Sequence, residues 1–238
     1  MAVEGGRMRT FLFALAATLA CAAPATAATR NFGITSFTKV RIEGPFKVTL
    51  ATGIAPFAKA SGSAAALDRV TIEVSGETLV VKANVSSWGG YPGANSGPVE
   101  VSLGTHDLTN AWLNGAGSLA IDRVKGLSFA LSVEGSGAAE IGDVQADRMN
   151  VAIVGSGSGK LAGKTGKLTA IVRGIGTLDA AKLQARDAAI AAEGSATIDA
   201  AATNSATVDA SGPATIRLAG NPSCTVKATG SASVSGCR

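Results

Sequence analysis

From Leu113 to the C-terminus the chain writes one phrase seven times: "LNGAGSLAID", "VEGSGAAEIGD", "IVGSGSGKLAG", "VRGIGTLDA", "AEGSATIDA", "ASGPATIRL" and "ATGSASVSG". The first glycine of each phrase is Gly115, Gly135, Gly155, Gly174, Gly194, Gly212 and Gly230, at spacings of 20, 20, 19, 20, 18 and 18 residues. A period this regular marks a repeat architecture, in which each unit buries its apolar side only against its neighbours.

The residues flanking this ruler say what each unit is. Two before each glycine stand Leu113, Val133, Ile153, Val172, Ala192, Ala210 and Ala228; four before stand Ala111, Leu131, Val151, Ala170, Ile190, Val208 and Val226. Six before, the series is Thr109, Phe129, Met149, Leu168, Ala188, Ala206 and Cys224. Three mostly apolar columns two residues apart describe a β-strand with these side chains inside. Columns between them, such as Asn114, Glu134, Val154, Arg173, Glu193, Ser211 and Thr229, face out. A second, shorter strand after the glycine is marked by Ile121, Ile141, Leu161, Leu178, Ile198, Ile216 and Val234. The glycines then lie at sharp corners. Two strands and two bends per coil, stacked at about 4.8 Å, predict a parallel β-solenoid of about seven 18–20-residue coils, roughly 30–35 Å long. The composition agrees: 46% of residues are hydrophobic, only 4% are aromatic and 30 are glycine, which favours strands and turns over helices. The inward columns shrink to alanine toward the C-terminus, so the last coils bury the least apolar surface.

The N-terminal part differs. Arg7 and Arg9 precede an apolar run from Phe11 to Leu19 and then small residues, which reads as a signal peptide over residues 1–27, cut after Ala27. The run is short for a membrane span, so no transmembrane segment is expected after cleavage. Thr18 stands where a lipid-anchored precursor usually has Leu three residues before its cysteine, so lipid anchoring through Cys21 is not expected. Residues 28–238 then form one domain. Cys224 and Cys237 become its only thiols, an even number in an oxidising compartment, and are expected to form a disulfide clasp on the thin end. Residues 37–103 alternate without the glycine ruler, as in "FTKVRIEGPFKVTL", "DRVTIEVSG" and "ETLVVKA", and read as strands continuous with the solenoid. A Gly/Ser/Pro loop, 84–98, carries Trp88 and Tyr91.

The order of "FTKVRIEGPFKVTLATG", "LDRVTIEVSGETLVVKA", "VEVSL", "LTNAWLNGAGSL" and the later "EGSG" phrases resembles the head-GIN domain family of auto-transporter adhesin heads. Its most specific marks are Gly44-Pro45-Phe46 after the first strand and the G-x-G corners. The resemblance covers essentially all of residues 28–238. It implies a right-handed parallel β-solenoid in an exported bacterial protein, periplasmic or on the cell surface, and brings no catalytic or binding residues to carry over. Only eight residues follow Gly230, so the membrane barrel of an auto-transporter is not expected in this chain.

Little chemistry is legible. His106 is the single histidine, which excludes catalytic and zinc arrangements that need two. Asp122, Asp143, Asp179, Asp199 and Asp209 recur after apolar strand residues, but not in the Gly-rich spacing of a calcium-binding repeat, and read as turn caps. The glycine pairs lack the helix and the Lys-Ser/Thr of a phosphate loop. No cofactor and no metal are expected. The charge after residue 27, 19 cations against 16 carboxylates, is expected to cluster into neither a stripe nor a run, so neither nucleic acid nor an anionic membrane is indicated. The reading is an exported, non-catalytic module that binds or scaffolds an envelope protein or glycan. A carbohydrate-active enzyme and a purely structural envelope part are the alternatives. The expected contact face is the outward row Trp112, Ser132, Ala152, Ile171, Ala191, Asp209 and Lys227 with its neighbouring row of small side chains. Trp112 and Ile171 are its anchors, Trp88 and Tyr91 lie nearby, and a homo-oligomer could use the same face.

Overall fold

The computed structural model describes residues 28–84 and 98–238; the expected signal peptide and most of the loop with Trp88 and Tyr91 lie outside the described residues. Of the described residues, 74% are strand, and the strands stack as a parallel β-solenoid of about six turns. The turns follow one another as β9 (Ser118–Gly135), β10 (Ala138–Gly155), β11 (Ser158–Gly174), β12 (Thr177–Gly194) and β13 (Thr197–Ser211). Each pairs in parallel with the next. The stack ends with β14 (Thr215–Ala219) and β15 (Ser223–Thr229), which both lie on β13, and β16 (Ser233–Ser235), which lies on β14.

The corner glycines stack directly: Gly115 pairs with Gly135, Gly135 with Gly155, and Gly155 with Gly174. Two constraints make glycine obligatory there. At Gly155 the backbone takes φ +108°, and a Cβ would sit 2.7 Å from the carbonyl oxygen of Gly135. That oxygen accepts a hydrogen bond from Ser156 N–H at 2.9 Å, so the coil below cannot withdraw to make room.

The coil has three inward segments rather than the two read from the sequence. In β9 these are Leu119 and Ile121, then Val124, then Phe129, Leu131 and Val133; the alternation breaks at the exposed pair Asp122-Arg123 and again over Lys125–Ser128. Val144 with Ala146, and Leu183 with Ala185, fill the extra segment in later coils. The expected second-strand column also divides. Leu178, Ile198, Ile216 and Val234 stack beneath Leu119, whereas Ile121, Ile141 and Leu161 form the next inward column. Every one of these but Val234 is buried.

Residues 37–103 do carry one member of the ruler. Gly44, between β2 (Lys39–Glu43) and β3 (Lys47–Thr52), has φ +126° and lies 3.6 Å from the Cβ position of Gly115. It heads the glycine column. An insertion of whole strands hides this from a search for an 18–20-residue period. After β3 the chain forms β4 (Phe57–Gly62), α1 (Ala64–Leu67), β5 (Val70–Ser75), β6 (Thr78–Ala83) and β7 (Glu100–Thr105), and only then β8 (Asn110–Gly115). β6 lies parallel on β2, and β7 on β3, so together they add a coil on the far side of the first one. The end is closed by antiparallel strands: β5 on β6, β4 on β7, and β1 (Ala28–Phe32) on β4. Arg30 ties β1 to the end of α1, donating to the carbonyl of Leu67 at 3.1 Å and to Asp68 at 2.6 Å. Antiparallel closure removes the bare parallel edge that invites another chain.

Three inward assignments fail at the ends of the stack. Thr109 is exposed and donates its hydroxyl to the carbonyl of Thr38, while Leu108 is the buried residue there. Val226 and Ala228 keep the register of the core, opposite Val208 and Ala210, yet both are exposed, Val226 at 44%, because they belong to the last coil. Cys224 and Cys237 are disulfide-bonded in this last coil.

Candidate functional site

The third inward segment of each coil has an outward side, and on it parallel register aligns residues into flat rows. Trp112 lies opposite Ser132, Ser132 opposite Ala152, Ala152 opposite Ile171, and Ile171 opposite Ala191. Beside it runs the row Asn110, Ala130, Asn150, Thr169 and Ala189. Trp112 and Ile171 are three coils apart, about 14 Å at the strand repeat, with only small side chains between them. The result is a shallow groove of about 230 Å³, walled by Trp112 and Ile171, with Ala130, Ser132, Ala152, Asn150 and Thr169 along it. Its lining contains no ionisable side chain.

Trp112 is half-buried, and the guanidinium of Arg41 lies over its ring, 5.6 Å from the centroid. Arg41 stands three residues before Gly44, as Trp112 stands three before Gly115, and the two are in register between β2 and β8. A cation over an indole holds the ring in place from one side and leaves the opposite edge to the groove. Arg41 was missed from the sequence because Gly44 was not recognised as part of the ruler.

The structure therefore places Trp112 and Ile171 at opposite ends of one groove; Trp88 and Tyr91 lie outside the described residues. His106 is exposed in the turn after β7, where its carbonyl accepts from Gly53 N–H. Of the five recurring aspartates, Asp122 and Asp179 do bond nearby backbone N–H groups: Asp122 accepts from Thr52 and Arg123, and Asp179 from Ala181. Asp143 and Asp199 instead face cations across the coils, Arg123 at 3.7 Å and Arg217 at 2.6 Å, so the turn-cap reading is wrong for them. Asp209 lies on the groove face, opposite Ala191 and Lys227. A further carboxylate, Asp187, accepts from the Ser205 hydroxyl, the Asn204 amide and the Arg186 guanidinium, and these bonds lower its pKa to about 2. It fastens a bend between β12 and β13. Among the described residues no group of three or more metal-binding side chains exists.

The family model described as "Putative auto-transporter adhesin, head GIN domain" matches residues 36–222. The chain belongs to the head GIN family. Solved structures share its fold. A "putative adhesin" from Bacteroides fragilis superposes with a TM-score of 0.78 at 17% identity, covering 88% of this chain and 96% of its own. A "putative lipid binding protein" from Parabacteroides distasonis gives 0.71 at 21% identity, with 89% and 96% covered. A "putative adhesin" from Parabacteroides merdae gives 0.66 at 15%, again with 89% and 96% covered. At these identities the likeness establishes the solenoid with its cap and carries no site. No curated protein matches the chain.

Proposed function

We propose that this chain is an exported, non-catalytic binding module of the bacterial cell envelope, adhesin-like in role, which holds an envelope protein or glycan against the groove between Trp112 and Ile171. The observation that carries this reading is the groove itself: a rigid, mostly apolar depression on a flat sheet, lined by side chains that contact but cannot transfer protons. Glycan cleavage would need two carboxyl groups facing each other across a bound sugar. The lining offers none. The family's description as an adhesin head and the Cys224–Cys237 bond both fit a place outside the cytoplasm.

The test is to immobilise the purified protein and pass over it solubilised envelope proteins and envelope glycans. Trp112→Ala and the double variant Ala152→Lys with Ala191→Lys should abolish capture, and any self-association, while the β-sheet circular dichroism stays unchanged. Capture retained by the double variant would place the contact elsewhere. No capture by the folded wild type would end the reading.

A further inference from the structure

The solenoid gathers its positive charge on one side, although the sequence scatters it. The outward side of the second inward segment runs over 123–128, 143–148, 163–167 and 181–187 of successive coils. It carries seven cations against three carboxylates, while the rest of the described chain carries twelve against thirteen. The whole net charge of the domain thus sits on this face.

The pairing pattern sets the face apart. Elsewhere, most charged residues directly opposite each other on adjacent strands are of opposite sign, and four such pairs form ion pairs, Lys47 with Glu100, Glu140 with Lys160, Arg173 with Glu193, and Asp199 with Arg217; Asp179 opposite Asp199 is a like-charge exception, made by carboxylates. On this face Arg148 lies opposite Lys167, a like-charge pair about 4.8 Å apart, which a sheet does not favour. Lys125 and Lys164 share one column two coils apart, at roughly 9.6 Å, with Gln145 between them and Gln184 beyond. Among the described residues Lys125, Arg148, Lys164, Lys167 and Lys182 have no ion-pair partner. The carboxylates present are Asp143, paired with Arg123; Asp187, opposite Lys167 but held by Arg186, Ser205 and Asn204; and Asp147.

We infer that this basic face binds an anionic polysaccharide, an extended chain of carboxylate-bearing sugars lying along the stacked coils. Lys125 and Lys164 in one column, Arg148 and Lys167 in another and Lys182 in a third spread five cations over four stacked coils, and they present charge to carboxylates along the stack, with the Gln184 amide beside them for hydroxyls. Binding would relieve the like-charge contact of Arg148 and Lys167. A membrane surface is less well matched, since it rewards apolar insertion beside the cations and this face exposes one large apolar side chain, Leu127. A single-stranded nucleic acid is less well matched as well, because no aromatic side chain stands on the face for its bases to stack on.

The experiment is titration calorimetry of the purified protein with polygalacturonate fragments, with dextran as the uncharged polymer and phosphatidylglycerol–phosphatidylcholine vesicles as the alternative surface. The expected result is binding to polygalacturonate only, weakened on the order of a hundredfold by a fourfold rise in salt if five contacts form. The fivefold variant Lys125→Gln, Arg148→Gln, Lys164→Gln, Lys167→Gln, Lys182→Gln should lose it. A control removing the same charge elsewhere, Lys47→Gln, Lys82→Gln, Lys160→Gln, Arg173→Gln, Arg217→Gln, should keep it, as should Trp112→Ala, which damages only the groove. Absence of binding, equal loss in the control, retention in the fivefold variant, or a preference for vesicles would overturn the inference. Loss in Trp112→Ala would do so too, by moving the polymer into the groove.

Discussion

The coils closed by Gly135 and Gly155 and those closed by Gly212 and Gly230 share a backbone path but not a core. In the first pair Leu131, Val133, Met149, Val151 and Ile153 are all at most 3% exposed. In the last coil the same columns hold Cys224, Val226 and Ala228, with Val226 at 44%. The second glycine of the corner changes in step. A Cβ at Gly157 would meet Val133 at 2.8 Å, whereas Ala196 and Ala214 occupy the same place, buried, and for Ala214 the residue standing where Val133 does is Ala192. The coil geometry is therefore set by the corner glycine and the ladder, and tolerates a wide range of core volume. What varies is how each region is held: by side-chain packing at one end and by a covalent bridge at the other.

The sharpest way to break this comparison is to damage the well-packed coils. Val133→Asp or Ile153→Asp places an unpaired carboxylate at a fully buried position, at a cost of several kcal/mol, and should abolish the cooperative thermal transition. Cys237→Ser opens a bridge across 13 residues, worth about 3 kcal/mol on the chain-entropy estimate, and its effect should stay local. Hydrogen exchange should rise in 215–238 while 118–174 stays protected; uniform loosening would show that the ends are not independent. Gly155→Ala forces a positive φ on alanine, about 1–2 kcal/mol, and a clash at 2.7 Å besides, whereas at Gly230 the nearest atom is 3.4 Å away. Denaturant midpoints should therefore fall more for Gly155→Ala. Smallest is acid. Asp187 has its folded pKa lowered to about 2 from 3.8, so the stability it lends is complete above the unfolded value and lost as pH falls through the folded one. Between pH 4 and pH 2, Asp187→Asn should flatten the decline in melting temperature.

The glycine corners were legible because both a backbone conformation and a close contact demand the same residue at a fixed interval. The second inward segment was not, because its turns use no constant residue: Val124, Val144, Thr165 and Leu183 follow bends made by different side chains. Thr109 was misread because the coil starting there is the first after the insertion and enters the core one residue earlier, at Leu108. On the candidate face, Trp112 and Ile171 could be aligned from the ruler alone, but Arg41 needed the register of β2 on β8. The basic face was invisible for a related reason. Its cations lie about one coil apart in the chain, and only stacking brings them together.

The insertion between Gly44 and Gly115 also bears on the order of assembly. Later coils pair with partners about 20 residues away, as Ala138 does with Ser118, whereas Lys39 pairs with Thr78 and Asn110, 39 and 71 residues further on. Closing longer loops loses more chain entropy before any contact repays it, so coil-by-coil growth should start among β9 to β12. The strands synthesised first would then dock last. During synthesis the N-terminal third would wait for residues up to Gly115 before joining the stack, and pulse-labelled hydrogen exchange during refolding should find 39–52 protected after 118–194.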